Sequence, residues 1–270
     1  MVILLFTVCF SIYFVFYIFG KLVKGKNIVY IYIDDGVSRE SVSQLIFTLV
    51  KGLPSGYRVS RINAKEIISN KWVRDAALLI MPGGADLPYV RKLNGQGNKN
   101  IKDYVKNGGA YLGICAGSYY GSAYVEFDRG GKFEVLGERE LAFFPGVAVG
   151  PILAKHDHNS NSGSRAASIK LDLKEVKKVI TYYNGGGYFK NATNYDDVTI
   201  IGYYENHLPA IIHISLGKGD VILSGVHFEY DPYRLDTQDP YLNKISPDLK
   251  YSNDKRQILV QVVFKKLLLS

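Results

Sequence analysis

The sequence predicts an α/β domain: a mostly parallel sheet sandwiched by helices, with an added β-hairpin, preceded by one N-terminal transmembrane helix. Three observations predict it. Short β-branched and aromatic runs alternate with helical periodicity through the first half of the chain. Two of those runs end abruptly at glycine-rich turns, as buried parallel strands do. Ahead of them, residues 2–20 carry no charge.

That first stretch is rich in Phe, Ile, Val and Tyr. As a helix it would span about 28 Å, close to the thickness of a hydrocarbon core. A cleaved signal peptide carries a basic start and a small-residue cleavage site. Nothing basic precedes this run and no A-x-A site follows it. An uncleaved single-pass anchor is therefore expected, with a signal peptide or a misassigned start as the alternatives. Lys21, Lys24 and Lys26 follow the run, and no acid occurs before Asp34. The positive-inside rule then puts the folded domain on the cytoplasmic side of a membrane. Residues 1–26 read as anchor and basic flank, and residues 27–270 as one domain, long enough to bury a full core.

The elements of that domain follow in order. Residues 28–33 form a strand that ends at Asp34-Asp35-Gly36. A helix covers 38–51, with Ser38 as its N-cap. Residues 58–62 are a second strand, and 77–81 a buried strand that stops at Pro82-Gly83-Gly84. A helix over 100–106 ends at Asn107-Gly108-Gly109, a C-cap signal. Residues 110–114 are a buried strand running straight into Cys115. Beyond it, strand-like runs recur at 168–173, 178–183 and 198–204. Runs at 211–216 and 220–224 flank Gly217-Lys218-Gly219 and read as a hairpin. An amphipathic helix closes the chain over 254–268.

Composition bounds the chemistry. With 47% hydrophobic and 21% charged residues the chain is globular, not disordered. The net charge of +8 includes the three flanking lysines, and no dense Lys/Arg cluster occurs elsewhere. Nucleic acid is therefore excluded as a partner. Neither a phosphate-binding loop nor a dinucleotide fingerprint is present, so no cofactor is expected. Of the two cysteines, Cys9 lies in the apolar run and Cys115 far from it, so no disulfide is expected.

Cys115 sits in Gly113-Ile114-Cys115-Ala116-Gly117, a nucleophile elbow between a buried strand and a helix. The glycines permit the sharp turn, and the helix start favours a thiolate. A thiol nucleophile needs a base, and the base an orienting group. His156 and His158 flank Asp157 in a polar loop with no third ligand, so no metal site is assigned. His207 lies in a turn near Pro209, and His213 in an alternating strand where packing explains it. His227 follows the hairpin in Ser224-Gly225-Val226-His227-Phe228-Glu229. Glu229, two residues on, can project to the same side of an extended segment. Cys115, His227 and Glu229 are the candidate catalytic residues. The N–H of Ala116 and an N–H of the 82–86 loop, taken as Gly84, are the candidate oxyanion donors.

The order strand–PGG, strand–GICAG, hairpin–HFE resembles class I glutamine amidotransferases, which implies a flavodoxin-like sheet and the Cys115–His227–Glu229 triad. More narrowly, five runs are similar to the N-terminal domain of biotin–protein ligases and its stand-alone relatives. They are MPGGADLPY at 81–89, GGAYLGICAGSYY at 108–120, RELAFFPG at 139–146, YYNGGGYF at 182–189 and LSGVHFEYDP at 223–232. From these runs the resemblance implies a pocket wall with Tyr119, Asn184, Gly185, Gly186 and Arg139 as candidate substrate contacts. The chain departs from the pattern at Tyr119, where glutamine-using enzymes carry the Gln that helps hold substrate. It also lacks the basic Gly-Arg-rich loop that holds biotinyl-adenylate, so no ligase activity is expected. The substrate is then a small amide or acyl compound attacked by Cys115. The alternative is a non-catalytic regulatory module that binds a ligand or a protein partner. A glutaminase subunit is the third reading, disfavoured by Tyr119.

Overall fold

The computed structural model describes residues 25–157 and 160–269. β1 (Ile28–Tyr32) leads to α1 (Arg39–Gly52), whose N-cap Ser38 accepts a hydrogen bond from Ser41 N–H. β2 (Arg58–Ile62) leads to α2 (Ala64–Ser69), which opens with a capping box between Asn63 and Glu66. β3 (Ala76–Met81) stops at Pro82, ahead of α3 (Asp86–Leu93) and α4 (Gln96–Lys106). β4 (Ala110–Ile114) runs directly into Cys115 and α5 (Ala116–Tyr120). β2, β1, β3 and β4 lie side by side, all parallel.

The period-2 alternation of these strands divides the core in two. Tyr32, Leu79, Met81 and Tyr111 face α2 to α5, where Tyr89, Ile101 and Tyr104 are buried. Val29, Ile31, Leu78, Ile80 and Leu112 face the other way, onto Leu45 and Leu49 of α1. With both faces covered, β4 is buried at every position, and its sequence is correspondingly apolar throughout.

The second half builds differently. β5 (Ser122–Phe127), β6 (Val135–Glu138), β7 (Phe144–Gly150) and β10 (Tyr188–Phe189) form a separate four-stranded sheet in the order β10-β7-β5-β6. β8 (Arg165–Leu171), β9 (Lys178–Tyr183), β11 (Val198–Tyr204), β12 (Pro209–Leu216) and β13 (Gly219–Ser224) join the main sheet. Its nine strands run β2-β1-β3-β4-β13-β12-β11-β8-β9. β13 is parallel to β4, whereas every pairing beyond it is antiparallel. α6 (Pro240–Tyr251) and α7 (Asn253–Leu268) complete the chain, and α7 packs Leu259, Val263 and Phe264 on the same face as α1.

Two expectations are corrected here. The sheet is not mostly parallel with a single hairpin added: it is mixed, and a second sheet stands beside it. The cause is connection length, because short links such as 205–208 and Gly217-Lys218 have no room for a crossover helix and force neighbouring strands antiparallel. The fold preceded by a transmembrane helix, and with it the expected membrane localisation and cytoplasmic side, is also corrected. No helix among the described residues is long and apolar enough to cross a membrane. The 2–20 segment that carried this expectation lies outside the described residues, as do Cys9 and His158.

Phe264 is 1% exposed and joins α7 to the sheet face. Phe264→Ala is expected to lower unfolding free energy by about 3–5 kcal/mol, measured by urea denaturation at constant m-value.

Candidate active site

The strand-to-helix turn at Cys115 has a physical signature. Cys115 adopts φ 50°, ψ −107°, a conformation that side-chain-bearing residues rarely take. Such a residue costs about 1–3 kcal/mol and persists only where its surroundings impose it. The flanking glycines supply that imposition. A Cβ on Gly117 would lie 2.0 Å from the Met81 carbonyl oxygen, and one on Gly113 would lie 2.4 Å from the Gly117 oxygen. The start of α5 therefore packs backbone to backbone on the end of β3, and Gly117 N–H donates to Pro82 O at 3.2 Å. Cys115 N–H donates to Ser224 O at 2.8 Å, fixing the turn to β13 as well.

β13 then delivers His227. His227 pairs across an isolated bridge with Tyr182, donating its N–H to Tyr182 O at 2.8 Å. Its Nδ1 lies 2.7 Å from Glu229 Oε1, and the Cys115 side chain lies near enough to act on the ring's proton affinity. Glu229 is fully buried and His227 is 4% exposed. Burial alone would push the imidazole pKa down. Glu229 and Cys115, each through charge and a hydrogen bond, outweigh that and raise it from 6.5 to about 10. The rings of Tyr182 and Tyr230, stacked on each other at 4.4 Å, flank the imidazole with centroids 5.6 and 4.9 Å away.

The candidate oxyanion donors lie beside this line. Ala116 is the first residue of α5, so its N–H is one of the donors that a helix start leaves without an intrahelical acceptor. In the 82–86 loop, Gly83 N–H donates to Ser41 Oγ at 3.1 Å. Gly83 O accepts from Ser38 N–H, and Ala85 N–H donates to Gly36 O. These bonds leave out the Gly84 N–H. Gly83 abuts the imidazole so closely that an added Cβ would sit 2.6 Å from His227 Cε1.

Cys115, His227, Gly83, Gly84, Tyr119 and Asn184 all line one cavity of about 940 Å³. Asn184 O accepts from the Cys115 thiol at 3.6 Å, and its Oδ1 lies 2.9 Å from His156 Nδ1. Gly185 lines the cavity with φ +76°. Tyr119 also lines it, but its hydroxyl donates to Gly185 O at 3.1 Å and ties α5 to the glycine run.

Two expected contacts lie elsewhere. Gly186 is not on the cavity wall: it packs against Gly225, where a Cβ would lie 1.6 Å from the carbonyl oxygen. Arg139 is not on the wall either. It is 5% exposed, and its Nε donates to Asp86 Oδ2 at 2.7 Å. Asp86 does line the cavity, so Arg139 reaches it only through that carboxylate.

Sequence reasoning missed Asp86, Tyr182, Tyr230, His156 and Ser41 as parts of the site. Tyr182 begins one of the five matching runs, and Asp86 lies in another. Ser41 left its own signal. It belongs with Gln44 and Thr48 to a polar row on the buried side of α1, where an amphipathic helix ordinarily carries apolar residues.

The fold is that of glutamine-amidotransferase-like proteins. A glutamine amidotransferase from Thermotoga maritima superimposes with TM-score 0.53 over 91% of this chain and 99% of that one, at 11% identity. The family described as biotin-protein ligase, N terminal, matches residues 27–270, and the chain belongs to it. A biotin–protein ligase of Schizosaccharomyces pombe is 37% identical over 209 residues, 75% of this chain. The match spans only 33% of that ligase. An uncharacterized protein of Chlamydia muridarum is 35% identical over 247 residues, 89% of this chain and 95% of that protein.

The raised imidazole pKa is directly measurable. By histidine NMR, His227 is expected to stay protonated at pH 8 and to lose its proton near pH 10; in Glu229→Gln that midpoint should fall. The folded value lies above the unfolded one. The stability this proton contributes is therefore complete below pH 6.5 and is lost as pH rises through about 10.

Proposed function

We propose that this domain is a cysteine-nucleophile acyl-transfer enzyme that cleaves a small amide or related acyl compound through a thioester at Cys115. One observation carries the proposal. Glu229 at 2.7 Å from His227, and His227 beside Cys115 on the wall of one 940 Å³ cavity, converge at a strained strand-to-helix turn.

The chemistry follows from that arrangement. With its proton passed to His227, the Cys115 thiolate attacks the carbonyl carbon, and the carbonyl electron pair moves onto oxygen. The N–H groups of Ala116 and Gly84 stabilise the resulting oxyanion. As the tetrahedral species collapses, the C–N bond breaks and protonated His227 gives its proton to the departing amine. Water then enters, His227 takes its proton, and hydroxide attack on the thioester releases a carboxylic acid and restores the thiolate–imidazolium pair. Glu229 keeps the imidazole in one orientation through both halves. Its full burial makes the imidazolium a favoured partner, which suits the step that donates a proton.

A second reading is a regulatory module that binds a ligand or a protein without turnover. It is favoured by Tyr119. That residue stands where glutamine-using relatives hold their substrate, and its phenol is committed to Gly185 O. A glutaminase subunit is weakened by the same residue.

Acyl trapping separates these readings. Protein is treated with p-nitrophenyl acetate, and acetylated Cys115 is sought by mass spectrometry, with a panel of carboxamides assayed for ammonia or amine release. Biotin amides belong on that panel, because one relative is a biotin–protein ligase. The expected result is stoichiometric acetylation, abolished in Cys115→Ala and slowed about 10²–10⁴-fold in His227→Ala. Native protein that is never acylated would rule out the enzyme and leave the binding module.

A further inference from the structure

Helix α1 is buried on its inner side, yet that side carries Ser41, Gln44 and Thr48 among Leu45 and Leu49. Polar groups in such a place are unfavourable unless each finds a partner. Every one of them finds it in or beside the candidate site. Thr48 Oγ1 donates to Glu229 O at 2.7 Å, and Gln44 Oε1 accepts from Asp231 N–H at 3.1 Å. Ser41, which is fully buried, has two partners: its Oγ accepts from Gly83 N–H at 3.1 Å and donates to Glu229 Oε1 at 3.4 Å.

These two bonds join parts of the site that are otherwise held separately. The carboxylate side is fixed by Thr48, and by Arg256, which donates to Phe228 O at 3.0 Å. The 82–86 loop is fixed on its carbonyl side, where Ser38 N–H donates to Gly83 O at 2.9 Å. The hydroxyl of Tyr89 reaches Pro82 O and Gly83 O at 3.2 and 3.4 Å. On its N–H side, Gly83 has Ser41 alone as partner among the described residues. The next N–H along the chain is that of Gly84.

Resting on the acyl-transfer reading above, we propose that Ser41 is a positioning residue that couples the Glu229–His227 pair to the oxyanion loop. By anchoring Gly83 N–H to the triad carboxylate, it orients the Gly84 N–H. Ser41 touches neither substrate nor thiol. Without its hydroxyl, Gly83 N–H has no acceptor in a buried place and the 83–84 backbone must turn to find one, which moves the oxyanion donor. The His227–Glu229 bond, shorter at 2.7 Å and supported from Thr48, stays in place.

The two effects are separable because two reactions of Cys115 differ in what they need. Acetylation by p-nitrophenyl acetate builds an oxyanion; alkylation by iodoacetamide does not. In the full chain, Ser41→Ala is expected to slow acetylation about 10–100-fold, somewhat less than outright loss of one oxyanion donor. Alkylation across pH 6–10 should change by less than about threefold, since the thiol and its base are untouched. Ser41→Thr keeps the hydroxyl and should restore acetylation to within about threefold of native protein. Acetylation of Ser41→Ala at the native rate would overturn the proposal. So would a parallel loss of both reactions, or a loss that threonine does not repair although that variant is folded by circular dichroism. Native protein that alkylates but never acetylates would instead overturn the acyl-transfer reading and this inference with it.

Discussion

The backbone contact between the first turn of α5 and the end of β3 is the constraint on which the rest of the site depends. Gly117 meets the Met81 carbonyl with no room for a side chain between them. That approach brings the 82–86 loop beside Cys115 and bends the chain there into positive φ. From this one contact follow the placement of Cys115 on the cavity wall at a helix start and the pairing of Gly117 N–H with Pro82 O. The nearness of the loop to the imidazole follows too. A methyl group at position 117 would separate all of these at once.

The buried ionic line sets a second constraint. Glu229 has no exposed surface, and its Oε2 has no hydrogen-bond partner among the described residues. A carboxylate so placed is costly unless a cation lies against it. His227 is that cation, with Arg256 close behind, pairing with Asp231 at 3.7 Å. The protein thus keeps an imidazolium at neutral pH inside its core. The stability given up to bury the acid reappears as a raised proton affinity on the histidine.

Much of this was legible in the sequence, and the illegible parts share a cause. The parallel strands could be read because a strand covered on both faces must be apolar throughout, as β4 is. The cysteine turn could be read because only glycine fits at 113 and 117. The second sheet could not: β5, β6 and β7 are short or half-exposed, and β5 reads SAYVEF with no clean alternation of burial. The antiparallel extension was visible as strand-like runs, but their pairing is fixed by tertiary neighbours. Arg139 and Gly186 were assigned to the pocket because they lie in matching runs. Those runs hold structural residues as well, and a motif does not distinguish a guanidinium facing substrate from one buried behind Asp86. Ser41 is not legible from the cap and period of its helix; its signal is the polar row with Gln44 and Thr48 on the buried side.

One topological feature bears on when the cavity can form. β13 lies between β4 and β12, with Asp220 opposite Ala110 and Ser224 opposite Ile114. Closing so long a loop is entropically costly. Until it closes, the thiol at the end of β4 has no imidazole near it, whatever order the strands before it have reached. The approach of His227 to Cys115 is thus made by the same pairing that completes the sheet.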